Sequence, residues 1–277
     1  IHKKTPKNFG VFSIKFKLNY LKDEIIVTAG VQESITLAML SILSKDDEVL
    51  LTSPRFTTYD LAVRMCDATP IPVPTFEKND FALMPEEISK RITSKTKILV
   101  LVSPNNPTGA VTPPEKIIEI AEIVKNNKLI VIADEIYADL VYENHTHLSI
   151  GSLEEMKERT LTLNGFSKTY AMTGWRIGYI AGPLDIINKM TEIRHALSIN
   201  SCTFSQYGAI SALKGPQDKL EEMKEEYNTR RKFCMHALQS MGLSYGEPGG
   251  AFYIYTNVSA SRMKASTLSP LLLKKTA

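Results

Sequence analysis

The sequence is poor in several features that mark particular protein classes, beginning with cysteine. Cys66, Cys202 and Cys234 lie far apart among 277 residues, and there is no CxxC motif or Cys/His cluster. That spacing is not typical of a zinc site, and a chain of this length does not need disulfides for stability. We therefore expect reduced and mostly buried thiols, no bound metal, and a cytoplasmic protein.

Long apolar runs, an excess of one charge and nucleotide-binding motifs are also absent. The longest apolar runs, such as ILVLV and LIVIA, are far shorter than the ~20 residues of a membrane span. The first ten residues lack the apolar core of a signal peptide. The 33 basic and 30 acidic residues are interspersed and give a formal net charge of +3, and neither GxGxxG nor a Walker lysine is present. We expect no membrane insertion and no nucleic-acid partner.

Short β-rich runs alternate with longer helical patterns along most of the chain. The runs at 98–102 and 129–133 are apolar on both faces, which is typical of strands covered by helices on each side. Helical stripes follow Ile35 and Ile117, the second after prolines that suit a first turn. Strands are predicted at 48–52, 69–74, 97–102, 128–133, 160–164 and 176–182. The pattern predicts an α/β fold whose large domain has a mostly parallel mixed sheet sandwiched by helices.

The pattern changes near Pro216, where a long charged helix is predicted. Glu226 and Arg230 are spaced to pair across one turn of that helix. The stretch EPGGAFYIYTNV then predicts a turn followed by a strand. We predict a large domain at 23–215, a connecting helix at 216–241 and the start of a smaller α+β domain at 242–277. The N-terminal segment 1–22 and the small domain are both expected to be incomplete.

Lys168 lies in the stretch LNGFSKTYAMTGWRIGY, among small and hydroxyl-bearing residues between a predicted strand and a helix. A solvated loop is one interpretation of this lysine. A serine nucleophile at Ser167 is another, but the GxSxG elbow needs a glycine where Thr169 stands, so we reject a serine hydrolase. The third interpretation is Schiff-base chemistry, in which an amine with a lowered pKa condenses with a carbonyl.

Other chemically useful side chains also follow predicted strands. Asp134 comes at the end of a buried strand, where ligands of open α/β sheets bind, although a helix N-cap is the alternative. Tyr137 comes three residues later and could reach the same ligand, and Asn106 stands in the turn SPNNPTG after the preceding strand. Gly30, in TAGVQES, precedes a helix start whose free N–H groups can bind an anion. With Arg176, these residues form a complementary set at the strand ends.

The ordered motifs SPNNPTG, ADEIY, NGFSKTYAMTGWRIGY and GGAFYIY resemble those of the fold type I, class I/II aminotransferases, which use pyridoxal phosphate. The likeness runs from about Asp23 to Val258 and is greatest to the branch of prokaryotic and archaeal aspartate and aromatic aminotransferases. It implies transfer of an amino group between an L-amino acid and a 2-oxo acid through the pyridoxamine form of the cofactor. Aspartate or an aromatic amino acid with 2-oxoglutarate are the implied substrates, and a homodimer is the implied assembly.

The resemblance also assigns roles to individual residues. Lys168 would hold the cofactor as a Schiff base and later move the proton at the substrate Cα, while Asp134 would keep the ring nitrogen protonated. Tyr137, the third catalytic residue, and Asn106 would hydrogen-bond the ring's phenolic oxygen. Phe56 would stack on the ring, unless it is a core phenylalanine. The phosphate would be held at the helix start and near the lysine, by Gly30, Val31, Gln32, Ser167 and Arg176.

Some features of the family pattern are not found, and alternatives stay open. Gly165 stands where relatives often carry a serine or threonine that binds phosphate, so Ser167 or backbone must substitute. No segment matches the one that carries the substrate-carboxylate arginine, and Arg262 lies outside any matching motif. The cofactor residues are shared with lyases of the same fold, such as C–S lyases and aminocyclopropane-carboxylate synthases. A ligand-sensing module would need a winged-helix domain, which residues 1–27 are too short to supply.

Overall fold

The computed structural model describes residues 18–276, and these form a seven-stranded mixed sheet. The strands are β1 (Ile25–Thr28), β2 (Glu48–Ser53), β3 (Thr69–Pro74), β4 (Thr96–Val102), β5 (Ile130–Asp134), β6 (Thr160–Gly165) and β7 (Gly178–Ala181). Their order across the sheet is β1-β7-β6-β5-β4-β2-β3. β7 runs antiparallel to β1 and β6, and every other neighbouring pair is parallel. The predicted α/β class with a mostly parallel mixed sheet is confirmed.

Helices separate most of the strands, as the alternating pattern predicts. They are α1 (Val31–Ile42), α2 (Thr58–Arg64), α3 (Pro85–Ser89), α4 (Pro114–Asn126), α5 (Phe166–Thr169), α6 (Leu184–Leu197), α7 (Thr203–Lys214), α8 (Asp218–Ser240) and α9 (Ala265–Thr276). Pro114 opens α4, where the missing N–H of proline costs no helical hydrogen bond. The predicted stripes that follow Ile35 and Ile117 are the buried faces of α1 and α4.

Successive residues of the central strands point into two separate cores. Val100 of β4 belongs to a cluster with Met39 of α1, whereas the next residue, Leu101, belongs to a cluster with Ile117 of α4. β5 divides its residues between the same two clusters. Side chains alternate across a strand, so a strand with a helix layer on both faces must be apolar at every position. This layering explains the continuous apolar runs and leaves the ends of the strands to carry polar groups.

Two local features differ from the sequence expectations. β1 was not predicted, because it is only four residues long, and it gains its stability by pairing antiparallel with β7. The predicted strand in EPGGAFYIYTNV is wrong: Gly250 and Thr256 make only isolated bridges. The Ala251 N–H donates instead to the Leu140 carbonyl at 2.8 Å, so this segment is held by a loop of the large sheet rather than by a neighbouring strand.

The exposure of the cysteines differs from the prediction, whereas an ion pair in the charged helix agrees with it. The three thiols are free, but Cys202 and Cys234 are exposed and Cys66 is only partly buried, so the expectation of mostly buried thiols is wrong. The reason is their position, since Cys202 is the residue immediately before α7 and Cys234 lies on the exposed face of α8. Within α8, Glu226 and Arg230 pair at 2.7 Å as their spacing predicts.

The domain boundaries stay a prediction. Residues 1–17 of the predicted N-terminal segment lie outside the described residues. Over the described range 18–276, no helix combines the length and apolar character that a membrane crossing requires. The same range contains no group of three or more His, Cys, Asp or Glu side chains placed to hold a metal ion.

Candidate active site

The carboxyl ends of three adjacent parallel strands bring the predicted residues to one edge of the sheet. Asn106 follows β4, Asp134 is the last residue of β5, and Lys168 lies in α5 directly after β6. Neighbouring parallel strands end at the same edge, which is where open α/β sheets bind ligands. A cavity of about 300 Å³ opens there, and all three side chains line it.

The wider set of predicted residues converges on the same cavity. Nine of the ten line it: Val31, Gln32, Phe56, Asn106, Asp134, Tyr137, Ser167, Lys168 and Arg176. The tenth, Gly30, caps α1 with a φ of 83°, and a Cβ at this position would lie 2.6 Å from Nη2 of Arg176. Phe56 is 38% exposed, so it is a wall of the cavity and not a core phenylalanine.

Asp134 is a buried carboxylate that accepts two hydrogen bonds. Oδ2 accepts from the Tyr59 hydroxyl at 2.7 Å, and Oδ1 accepts from the Ile136 N–H at 3.2 Å. Burial raises the pKa of Asp134 to about 6; the two hydrogen bonds oppose that rise, and the nearby Glu135 charge adds to it. Burial, followed by the charge of Asp134, raises the pKa of Tyr59 well above its ordinary value. A cation placed against Asp134 would return the carboxyl to its usual ionisation range.

The amine of Lys168 lies close to two aromatic rings. Its Nζ is 5.7 Å from the centre of the Tyr137 ring and 5.4 Å from that of Phe252. Burial lowers the pKa of Lys168, and the charge of Arg176 lowers it further. A lowered pKa increases the neutral fraction of the amine, which is the form that attacks a carbonyl. This geometry favours the nucleophilic interpretation of Lys168 over a solvated loop.

The start of α1 and Arg176 form a cationic corner of the cavity. The first N–H groups of a helix, here those of Val31 and Gln32, have no acceptor within the helix and carry the positive end of its dipole. Arg176 donates from Nη1 to the Thr173 carbonyl at 3.0 Å and from Nη2 to the Ala29 carbonyl at 3.4 Å, which holds its guanidinium beside this helix start. Such a corner suits a phosphate or a carboxylate.

Gly165 stands where relatives often carry serine or threonine, and a steric constraint accounts for the glycine at this position. Gly165 of β6 lies opposite Gly178 of β7 in the antiparallel register. A Cβ at Gly165 would be only 3.1 Å from the Gly178 Cα and from the Ile177 carbonyl oxygen. A larger residue would therefore have to move the two strands apart. Ser167, two positions further on, lines the cavity and remains the predicted substitute.

Sequence reasoning missed two tyrosines that complete the cavity wall. Tyr59 comes three residues after Phe56 in SPRFTTY, in the first turn of α2, and that proximity was the available signal. Tyr253 belongs to the GGAFYIY motif, and its hydroxyl lies 2.7 Å from that of Tyr137. Tyr59 and Asp134 are 75 positions apart, and Tyr253 and Tyr137 are 116 apart. Only the folded chain brings each pair together.

The family found by comparison with known proteins agrees with the residues that line the cavity. A family profile described as Aminotransferase class I and II matches residues 14–276. The chain therefore belongs to this family, and the predicted resemblance to fold type I enzymes is confirmed. Aspartate and aromatic aminotransferases of the family use pyridoxal phosphate, in agreement with the predicted cofactor.

Individual relatives align with this chain over most of its length. Aromatic-amino-acid aminotransferase 2 of Thermococcus litoralis is 39% identical over 256 residues, which are 92% of this chain and 66% of that protein. Aspartate aminotransferase of Pyrococcus abyssi is 41% identical over 252 residues, 90% of this chain and 65% of that protein. A crystal structure of the aromatic aminotransferase from Pyrococcus horikoshii OT3 matches with a TM-score of 0.95 at 39% identity, covering 97% of this chain and 72% of the other.

This chain spans slightly less than two thirds of the length of the two curated relatives. Both relatives are named aminotransferases, which does not favour the lyase or the ligand-sensing alternative.

Proposed function

We propose that this protein is a pyridoxal-phosphate-dependent aminotransferase that moves an amino group between an L-amino acid and a 2-oxo acid. The observation that carries the proposal is that the Lys168 amine and the Asp134 carboxylate line one cavity together with the cationic corner at Arg176. These groups fit the cofactor by their chemistry, since an amine suits its aldehyde, a carboxylate suits its ring nitrogen and the corner suits its phosphate.

Lys168 and Asp134 are the proposed centre of the chemistry. When bound, pyridoxal phosphate supplies an electrophilic aldehyde and a ring that accepts the electron pair released at the substrate Cα. Lys168 provides a nucleophilic amine because burial and Arg176 lower its pKa, and the same amine then moves the proton at Cα. Asp134 holds a proton on the ring nitrogen, and the resulting cation stabilises the buried carboxylate.

The remaining wall residues would orient the cofactor. We propose that Tyr137 and Asn106 hydrogen-bond the phenolic oxygen of the ring and that Phe56 stacks on its face. The proposed phosphate site consists of Arg176, Ser167 and the start of α1, with Gly30, Val31 and Gln32. A hydrogen bond to a charged group contributes about 1.5–3 kcal/mol, so several of them would hold the phosphate firmly.

Aspartate or an aromatic amino acid, with 2-oxoglutarate as acceptor, are the proposed substrates. One curated relative is named an aspartate aminotransferase and another an aromatic-amino-acid aminotransferase, which supports both donors equally. Arg262, the arginine that the sequence left unassigned, is exposed and is not part of the cavity lining.

A homodimer in the cytoplasm is the proposed context of the reaction. Large apolar side chains are exposed near α6 and α7, where a second copy could cover them: Trp175, Leu197, Ile199, Phe204 and Tyr207. Free thiols are typical of reducing compartments, which supports the cytoplasmic location. We also propose the division into a large domain at 23–215, a connecting helix at 216–241 and a smaller domain from 242. Light scattering over a range of protein concentrations would test the dimer.

An amino-donor panel tests the activity directly. Protein loaded with pyridoxal phosphate is mixed with one amino acid at a time, without any 2-oxo acid, and the pyridoxamine form is measured by absorbance. We expect aspartate, tyrosine or phenylalanine to produce that form, and 2-oxoglutarate to reverse it. Release of pyruvate and ammonia from a cysteine conjugate, with no pyridoxamine form from any donor, would instead identify a lyase. Lys168→Ala is the negative control.

A further inference from the structure

The segment that contains Tyr253 is fixed against two loops of the large sheet. The Ala251 N–H donates to the Leu140 carbonyl at 2.8 Å, and the Gly250 N–H donates to the Gly109 carbonyl at 2.9 Å. Gly109 has a φ of 73°, and a Cβ at this position would lie 2.7 Å from the Tyr253 carbonyl oxygen. These contacts join the segment to the turn after β4 and to the loop after β5. They place the Tyr253 side chain in the wall of the cavity.

Tyr253 and Tyr137 form a hydroxyl pair in that wall. The two hydroxyl oxygens are 2.7 Å apart, and either can be the donor. The rings pack edge to face with their centres 5.8 Å apart, so both side chains are held in place. Tyr137 is buried, and burial together with the bond to Tyr253 raises its pKa. Tyr137 is therefore a protonated donor across the physiological pH range.

The single proton of a hydroxyl limits what this pair can do. Tyr137 can donate either to Tyr253 or to an acceptor in the cavity, but not to both at once. If Tyr137 donates into the cavity, its oxygen is free to accept the proton of Tyr253. Donation by Tyr253 polarises the Tyr137 hydroxyl and strengthens the bond that Tyr137 makes in turn.

We propose that Tyr253 is a positioning residue: its hydroxyl donates to Tyr137 and so directs the Tyr137 proton toward the phenolic oxygen of bound pyridoxal phosphate. This inference rests on the proposed function, which assigns that oxygen to Tyr137. Tyr253 acts on the cofactor only through Tyr137. Removing its hydroxyl therefore weakens one donor to an anionic oxygen, while the phenylalanine ring stays in the cavity wall.

The test uses the cofactor-loaded, full-length protein and four variants. Tyr253→Phe and Tyr137→Phe each remove one hydroxyl, and the double variant removes both. Tyr255→Phe is the matched control, because Tyr255 is not part of the cavity lining. Its ring packs edge-on against that of Phe81, with the ring centres 5.3 Å apart. The measured quantity is the apparent pKa of the bound cofactor, obtained from its absorbance as a function of pH. Circular dichroism of each variant checks folding.

We expect Tyr253→Phe to raise the apparent pKa of the bound cofactor by about 0.5 to 1. The direction follows because a weaker donor stabilises the phenolic anion less, so the protonated form persists to higher pH. Tyr137→Phe should raise this pKa further, and the double variant should equal Tyr137→Phe. Tyr255→Phe should match the wild type. Tyr253→Met, which also lacks the hydroxyl, provides the same test if the phenylalanine variant does not fold.

Two results would overturn this inference while leaving the proposed function intact. One is an unchanged pKa in Tyr253→Phe. The other is an equally large shift when Tyr253→Phe is added to Tyr137→Phe, since that would show a hydroxyl acting independently of Tyr137. A wild-type protein that gives no pH-dependent cofactor absorbance would instead overturn the proposed function, and the assignment of Tyr253 with it.

Discussion

Asp134 offers a quantitative test of the electrostatics, because its carboxylate is buried by the protein itself. Its pKa is raised from 3.8 to about 6 in the folded protein. The folded chain therefore binds this proton more tightly than the unfolded chain. The resulting stabilisation is fully present below about pH 3.8 and is lost as the pH rises through about 6. At pH 8 the ionised group costs the cofactor-free protein about 3 kcal/mol.

The perturbation that reveals this cost is Asp134→Asn. The amide is neutral at every pH and can still pair with Tyr59 and the Ile136 N–H. In the absence of cofactor, removal of the charge should raise the free energy of unfolding of the variant above that of the wild type. The increase should be about 1 kcal/mol at pH 4.5 and about 3 kcal/mol at pH 8. Urea unfolding at a series of pH values measures the difference. With cofactor bound, the same variant should lose most of its transamination rate, because no carboxylate holds the ring proton.

Tyr59→Phe provides the control for this reasoning. Loss of the hydroxyl removes a bond that lowers the pKa of Asp134, so the ionised carboxylate becomes less stable. A bond to a charged group contributes about 1.5–3 kcal/mol, and the stability lost should be greater at pH 8 than at pH 4.5. In the Asp134→Asn background, the effect of Tyr59→Phe should not depend on pH. If Asp134→Asn increased the free energy of unfolding equally at both pH values, the idea that the buried, ionised carboxylate destabilises the protein would be refuted.

Three further substitutions test the rest of the site. Lys168→Ala should leave no cofactor attached after borohydride reduction, as measured by mass spectrometry, whereas Lys214→Ala, at an exposed lysine, should retain it. Arg176→Gln should weaken equilibrium binding of pyridoxal phosphate by about 10–100-fold but change the affinity for phosphate-free pyridoxal little; equal losses would exclude a phosphate contact. Gly30→Ala should lower the free energy of unfolding by about 1–3 kcal/mol, because its φ of 83° with a ψ of 167° is a conformation that only glycine adopts readily, and it should weaken cofactor binding by displacing Arg176. Gly174→Ala, where a Cβ meets nothing within 4 Å, should leave cofactor binding unchanged.

Much of this arrangement could be predicted from local sequence patterns. Residues 98–102 of β4 and 130–133 of β5 are all apolar, and that pattern alone predicts strands between two helix layers. Asp134 is the last residue of β5, and Lys168 lies directly after β6. Because parallel strands end at the same edge of a sheet, their convergence was predictable without coordinates. The ordered motifs SPNNPTG, ADEIY, NGFSKTYAMTGWRIGY and GGAFYIY predicted the family.

Other features depend on contacts that no local pattern contains. The GGAFYIY stretch has the composition of a strand, but its backbone hydrogen bonds are with Gly109, Leu140 and Tyr142, so it adopts an irregular course beside the cavity. The hydrogen bond of Tyr59 to Asp134 joins positions 75 apart, and the pair of Tyr253 with Tyr137 joins positions 116 apart.

The amino-acid sequence by itself determined the order and type of most elements, because hydrophobic periodicity reflects which faces of an element are buried. It also placed the reactive side chains at strand ends. Only the tertiary structure decided which groups meet there, how deeply each is buried, and hence how far the pKa values of Lys168 and Asp134 move. The physical reason is that desolvation and hydrogen bonding act through space and depend on neighbours that are distant along the chain.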